Sequence, residues 1–151
     1  MDDLNANLIS SGGFHNLAIN SDQEVFAWGR NNDGEINVPL DLNEVIKVAT
    51  GEYHSLALKS DGTVVAWGEN DNGQITVPED LTNVIDISGG ENHSLALKSD
   101  GTVVAWGHNN TNQLDIPSDL NSVVAISAGN DHNLALKADG TVVTWGYDGY
   151  S

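Results

Sequence analysis

Short apolar and polar runs alternate along the chain, and the whole pattern recurs every 39 residues. In the second copy, Val45–Ala49, His54–Lys59 and Thr63–Trp67 have the alternation or the β-branched and aromatic content typical of strands. A fourth short strand is predicted at Gln74–Val77, ended by Pro78, which cannot donate to a sheet ladder. No segment shows a convincing helical period. The pattern therefore predicts an all-β chain of four-stranded antiparallel units.

Turn signals separate the predicted strands and divide the loops into two sets. Asp61-Gly62, between the second and third strands, predicts a two-residue type I′ hairpin, in which both central residues need a positive φ. Because the strands of an antiparallel unit alternate in direction, these hairpins and the links between units emerge on one face, called here the hairpin face. The loops after the first and third strands emerge on the opposite face, called here the loop face.

The period is marked by histidine and by tryptophan followed by glycine. The copies run over 9–47, 48–86, 87–125 and 126–151, and the last is shorter than the others. A unit of this size cannot bury both its faces alone, and radial stacking as the blades of a β-propeller solves that problem. We therefore expect residues 1–151 to form one propeller-type repeat domain. The markers are His15, His54, His93 and His132, and Trp28, Trp67, Trp106 and Trp145.

Each marker has two interpretations. The histidines are best explained as structural groups that bond the backbone at the start of a strand, with a ring of metal ligands as the alternative. The tryptophans are best explained as packing between blades, with stacking on sugars or bases as the alternative. Asn31–Gly34 and Asn70–Gly73 have the composition of calcium loops. They lack the spacing of an EF-hand and suit ordinary turns, so we expect neither a metal nor a cofactor.

The repeat resembles that of a known family. Residues 51–78 contain the motif G-x-x-H-S-L-A-L-K-x-D-G-x-V-x-x-W-G-x-N-x-x-G-Q-x-x-V-P, which is similar to the repeat of the regulator of chromosome condensation (RCC1) superfamily. The short period and the segment 67–78 most resemble its bacterial branch, which includes a secreted proteinaceous β-lactamase inhibitor. The resemblance implies a propeller, usually of seven blades. It also implies a protein-binding role: nucleotide exchange on a small GTPase, enzyme inhibition or scaffolding.

Composition narrows the class of partner. The 151 residues include 22 Asp and Glu against five Lys and Arg, for a formal charge of −17. Such a chain repels phosphate backbones and anionic lipids, so we expect no nucleic-acid and no membrane partner. The absence of cysteine excludes disulfides and thiolate chemistry. The first ten residues lack the basic start and apolar run of a signal peptide, and both a secreted and a cytoplasmic location are compatible with the sequence.

Protein recognition is the function that the pattern favours. We find no nucleophile–base–orienter set and no phosphate-binding loop, so we expect no enzyme. The hairpin face is nearly uniform among the copies, whereas the loops of the loop face differ, and divergent loops on a rigid scaffold usually carry recognition. One alternative is a structural repeat module, or part of a larger secreted or adhesin-like protein; a sugar-binding propeller ranks lower. The predicted partner-binding residues are Phe14, Glu52, Tyr53, Asp71, Glu91, Asn92 and Asp131.

Four copies raise the question of how a ring would close. Blades set at the angle of a seven-bladed ring would leave a gap and expose apolar faces on the first and last blades. We predict a homodimer in which two chains close an eight-bladed ring, because closed two-fold assemblies are the commonest oligomers. The alternatives are a compact four-bladed monomer and a fragment of a longer repeat chain.

Overall fold

All regular secondary structure in the computed structural model, which describes residues 5–147, is β. Within that range no helix is long and apolar enough to cross a membrane. The strands are β1 (Leu8–Ser11), β2 (His15–Ile19), β3 (Val25–Gly29), β4 (Val45–Thr50), β5 (His54–Lys59), β6 (Val64–Gly68), β7 (Val84–Gly89), β8 (His93–Lys98), β9 (Val103–Gly107), β10 (Val123–Ala128), β11 (His132–Lys137) and β12 (Val142–Gly146).

Each set of three consecutive strands forms one antiparallel sheet, so the four copies become four blades. In blade 2 the middle strand β5 pairs Ala57 with Val48 of β4 and Leu56 with Ala66 of β6. The first strands contact one another in the order β1, β4, β7, β10, as they do around the centre of a propeller. Blades 1 to 4 begin with these four strands.

The hairpin between the second and third strands differs from the predicted type I′ turn. Gly62 has a φ of +80°, but Asp61 does not have a positive φ. The Gly62 N–H donates to the Lys59 carbonyl at 3.0 Å, and the Asp61 carboxylate accepts from the Thr63 N–H at 2.9 Å. The result is a three-residue loop that ends in a left-handed glycine and is closed by the short aspartate side chain.

The predicted fourth strand is wrong for the described blades, because each sheet has three strands. Gln74–Val77 forms turns in which the N–H groups of Thr76 and Val77 donate to carbonyls three and two residues back, each at 3.0 Å. The Gln74 carbonyl accepts hydrogen bonds from side chains of the next blade. With these groups satisfied, the segment does not add to the ladder. The end of the fourth copy, 148–151, lies outside the described residues.

The core lies between blades rather than inside them. Leu56 and Leu58 of blade 2 pack with Ile87 and Trp106 of blade 3, and Leu81 in the link between the two blades completes the cluster. The contacts between blades 1 and 2 and between blades 3 and 4 repeat this arrangement. Full burial of one such side chain stabilises by roughly 1.5–3 kcal/mol, so each blade depends on its neighbours.

Candidate functional site

A repeated hydrogen-bonded group fastens each blade to the next, and we call each such contact a joint. At the joint of blades 2 and 3, His54 Nε2 lies 2.9 Å from Ser94 Oγ. Ser94 Oγ donates to the Gln74 carbonyl at 2.9 Å, and Trp106 Nε1 donates to the same carbonyl at 2.9 Å. Since the Ser94 proton is committed to that carbonyl, His54 must donate and carries its proton on Nε2.

The other two joints use the equivalent residues. The side chains of His15 and Ser55 meet at 2.9 Å, and those of His93 and Asn133 meet at 2.7 Å. The carbonyls that accept from the next blade belong to Glu35 and Gln113. Each of these histidines bonds a side chain of the next blade, a contact that spacing within one copy does not reveal.

The histidine rings at the joints are buried and neutral. A Cβ atom on Gly51 would lie 2.4 Å from His54 Nδ1, so glycine is required where the ring meets the adjacent loop. Burial, and to a smaller extent the neighbouring His93 and His15, lowers the pKa of His54 to about 3. Burial also lowers the pKa of His15 and of His93. The Nδ1 atoms of all three rings are buried without a hydrogen-bond partner.

One marker residue in each outer blade is exposed. Trp67, Trp106 and Trp145 are buried, each against the preceding blade, whereas Trp28 of blade 1 is 39% exposed. His132 of blade 4 is likewise exposed, although it begins its strand as the other histidines do. The marker residues therefore do not share one environment.

Three further positions meet at the loop-face end of each joint. At the joint of blades 2 and 3, the buried Gln74 amide donates to Glu69 Oε2 at 3.1 Å and to Asn92 Oδ1 at 3.4 Å. At the joint of blades 3 and 4 the equivalent residues, 39 positions further on, are His108, Gln113 and Asp131. The buried Gln113 amide donates to His108 Nδ1 at 3.0 Å and to Asp131 Oδ1 at 3.1 Å.

The joint of blades 1 and 2 has different chemistry at the same three positions. Arg30 Nε lies 3.5 Å from Glu35 Oε1, which is within ion-pair range but longer than a hydrogen bond. The Arg30 guanidinium lies 4.4 Å from the centre of the Tyr53 ring, and Tyr53 stacks on Phe14 with ring centres 5.6 Å apart. Phe14 is 55% exposed. We call Phe14, Arg30 and Tyr53 the aromatic platform.

Two carboxylates line a polar hollow on the loop face. The hollow has a volume of about 330 Å³ and is lined by glycine-rich loops of all four blades, with Glu52 and Glu91 beside it. Burial raises the pKa of Glu91, and the negative charges of Glu52 and Asp131 raise it further. Burial and neighbouring aspartates raise the pKa of Glu69 in the same way. Within residues 5–147, no group of three or more His, Asp or Glu side chains is placed to hold a metal ion.

The structure brings most of the predicted partner-binding residues into pairs. Phe14 lies on Tyr53, whose pKa is raised chiefly by its hydrogen bond to Glu52. The Asn92 amide donates to Glu91 at 3.4 Å. The remaining two are separate: Asp131 accepts from Gln113, and Asp71 is exposed in its loop.

Sequence reasoning missed Arg30, His108 and the buried polar residue of each joint. Their signal is the repeat itself, because Glu35, Gln74 and Gln113 are 39 residues apart. A polar residue kept in phase with the apolar pattern indicates a role in blade packing. Gln74 and Gln113 each bridge two loops that the sequence alone does not place together.

A comparison with protein-family models identifies the repeat. The model described as "Regulator of chromosome condensation (RCC1) repeat" matches residues 8–35, 45–74, 84–113 and 123–151. No curated protein matches this chain in sequence.

Solved structures share the fold at low sequence identity. Prp20p from Saccharomyces cerevisiae is 24% identical with a TM-score of 0.81, over 97% of this chain and 46% of that one. Human WBSCR16 is 21% identical with a TM-score of 0.78, over 97% and 49%. The CRINKLY WD40 ectodomain of the Arabidopsis thaliana receptor kinase ACR4 is 23% identical with a TM-score of 0.75, over 95% and 51%. This chain therefore spans about half the length of these relatives.

Proposed function

This chain belongs to the RCC1 repeat family, and from that premise we propose that it is a protein-recognition module whose loop face binds a partner protein. The structure of Prp20p, which is similar in fold, was described together with its binding to Gsp1p and histones. For this chain we propose protein binding rather than catalysis.

The aromatic platform is the main support for the loop face as the binding surface. Tyrosine and arginine are enriched among the few residues that dominate binding energy at protein interfaces. Here Tyr53 and Arg30 lie together with the exposed Phe14. The hairpin face offers no equivalent among the residues that the structure describes. There the Asp61, Asp100 and Asp139 carboxylates each accept from a threonine hydroxyl at 2.6 Å, so the side chains close their own turns.

The charges around the platform define the partner's chemistry. Glu52, Glu69 and Glu91 lie on the same face, and the pKa values of Glu69 and Glu91 are raised by burial and by neighbouring carboxylates. A basic partner relieves that repulsion, and the formal charge of −17 attracts it over long range. We propose a basic protein that places an apolar side chain on Phe14.

A capture experiment tests the loop face. Immobilised chain captures partners from a lysate, and the affinity of the captured protein is then measured for variants. Replacing Phe14 by Ala together with Tyr53 by Ser should weaken binding about tenfold or more, the loss expected of an interface anchor. Asp100→Ser on the hairpin face is the matched control and should leave affinity unchanged. Equal loss from both variants would show that the face is wrongly assigned, and no captured protein would favour the structural-module alternative.

We also propose that a second copy completes the ring to eight blades. Apolar side chains are exposed on both outer blades, among them Ile9 on blade 1 and Leu134 on blade 4. A ring of two copies covers both faces. Light scattering at micromolar concentration should give twice the chain mass of 16.0 kDa. A stable species with the mass of one chain would contradict the ring.

A further inference from the structure

We infer that the outer faces of blades 1 and 4 are the two halves of one head-to-tail joint, and that each is filled by the opposite face of a second copy of this chain. The inference rests on the proposed association of two copies and adds the contact through which they meet. A head-to-tail contact also permits an open series of copies, so it does not depend on an eight-bladed ring.

Blade 4 presents the half of a joint that elsewhere receives the following blade. Leu134 is 41% exposed and Leu136 is 39% exposed, whereas their equivalents in blade 2, Leu56 and Leu58, are at most 1% exposed. With Val142 and the β10 side chains they line an apolar hollow of about 240 Å³. In blade 2 this position is filled by side chains of blade 3.

Blade 1 presents the other half. Ile9 and Trp28 correspond to Ile87 and Trp106, which are buried against blade 2. Phe26 stands where the other copies have valine, and it is 38% exposed. A larger side chain on blade 1 therefore corresponds in register to an apolar hollow on blade 4.

One hydrogen-bonded pair of the internal joints has its equivalent across the two outer faces. At the joint of blades 3 and 4, His93 bonds Asn133, 40 residues further on. For His132 the equivalent position is 132 + 40 = 172, and subtracting four periods of 39 gives position 16 of the second copy. That residue is Asn16, of the same type as Asn133, and it currently accepts from the neighbouring Ser11 hydroxyl at 2.9 Å. His132 thus has an acceptor in the second copy.

The charged pair of an internal joint is replaced by apolar residues on the outer faces. Across the joint of blades 2 and 3, Lys47 pairs with Asp86, 39 residues further on. The same positions of the outer faces hold Ala125 on blade 4 and Leu8 on blade 1, so two apolar residues meet there. Burying an unpaired charge would be costly, and at this position the contact buries none.

Disulfide trapping tests the register, because the chain has no cysteine of its own. Ser10 Oγ and Thr50 Oγ1 are 2.8 Å apart across the joint of blades 1 and 2. Three periods further on, this pair becomes Ser127 of one copy and Ser11 of the next. Mixing the single variants Ser127→Cys and Ser11→Cys under mild oxidation should give a disulfide-linked dimer that neither forms alone. The double variant Ser10→Cys, Thr50→Cys is the positive control and should close within one chain.

The outcomes separate the inference from the proposals above. An unlinked mixture beside a closed control, or linking by either single variant alone, would overturn the head-to-tail joint. A chain carrying both Ser11→Cys and Ser127→Cys should link into pairs. A ladder of longer species would keep the joint but contradict the eight-bladed ring. Neither result depends on partner binding at the loop face.

A second variant tests the apolar contact without disturbing the fold. Leu134 is exposed in the single chain, so Leu134→Asp should leave thermal unfolding of the monomer unchanged and reduce cross-linking at least tenfold. Leu40→Asp is the matched control, because Leu40 is fully exposed in the link between blades 1 and 2. Equal cross-linking by the two variants would overturn the role of the apolar face.

Discussion

The internal joints and the outer faces place the same repeat in two environments. Trp106 at an internal joint is 6% exposed, whereas Trp28 on the outer face of blade 1 is 39% exposed. Leu95 is fully buried and its equivalent Leu134 is 41% exposed. The residue types are the same, so the difference lies in the neighbouring blade. The contacts between blades therefore contribute much of the free energy of folding of this chain, as interfaces between units do in other repeat proteins.

The largest expected difference concerns tryptophan. Trp106→Ala should destabilise by about 3–5 kcal/mol, because it removes a buried ring and its hydrogen bond to the Gln74 carbonyl. Trp28→Ala removes a partly exposed ring with no preceding blade described, and we expect a loss below about 1 kcal/mol. Chemical denaturation of both variants, at a concentration dilute enough for single chains, measures the contrast. Equal losses would show that the tryptophan stabilises its own blade rather than the joint.

Acid should weaken the internal joints of the single chain. The folded-state pKa of His54, about 3, is below its ordinary value of 6.5, so the unfolded chain binds the proton first as pH falls. The stabilisation is fully present above pH 6.5 and is lost as pH falls toward 3. One such histidine contributes a slope of about 1.4 kcal/mol per pH unit within that window.

Two histidine variants isolate this effect from the carboxylates. In single chains, His54→Gln should reduce the pH dependence of the unfolding free energy between pH 6.5 and 5 more than His132→Gln does, the matched control at an exposed position. The aspartates with lowered pKa and the glutamates with raised pKa are present in both variants, so their contributions cancel in the comparison. Equal slopes in both variants would contradict the assignment to the buried ring.

The sequence predicted the blades well because their signals are local and repeated. The middle strand of blade 2 begins and ends at the predicted residues, His54 and Lys59, since alternation and the following turn define it. The fourth strand failed because Gln74–Val77 has strand-like residues whose backbone groups are satisfied by turns and by the next blade. That competition is non-local and does not appear in a period-two pattern.

The candidate site was predicted in part for the same reason. Phe14 and Tyr53 were found because their positions vary among copies, and the structure stacks them. Arg30 was missed because its importance comes from the ring of the next blade that it covers. The exposure of Trp28 and His132 likewise depends on which blade stands beside each one, which the repeat pattern does not encode.

A smaller contrast is expected for the hydrogen bonds of the joint. Ser94→Ala leaves the buried His54 donor without its acceptor, and we expect a loss of about 1–3 kcal/mol. Asn16→Ala changes the equivalent position of the outer face, where the side chain is half-buried, and should cost less than about 0.5 kcal/mol. Both are measured by denaturation at a concentration dilute enough for single chains. A loss for Asn16→Ala as large as for Ser94→Ala would mean that the outer face is already satisfied within one chain.

The smallest expected effect on stability comes from removing one carboxylate charge, and its sign should differ between the loop face and the hairpin face. Burial and the charges of Glu52 and Asp131 raise the pKa of Glu91, so its carboxylate is unfavourable in the folded state. Glu91→Gln should therefore stabilise slightly, by less than about 0.5 kcal/mol, and the gain should shrink with salt as screening weakens the repulsion. On the hairpin face, the Thr63 hydroxyl and N–H lower the pKa of Asp61, so its charge is favoured and Asp61→Asn should destabilise slightly. Thermal unfolding of both variants at low and high salt measures the two signs. A loss of stability from Glu91→Gln would show that the Glu91 charge is already matched within the chain. No repulsion would then remain for a basic partner to relieve.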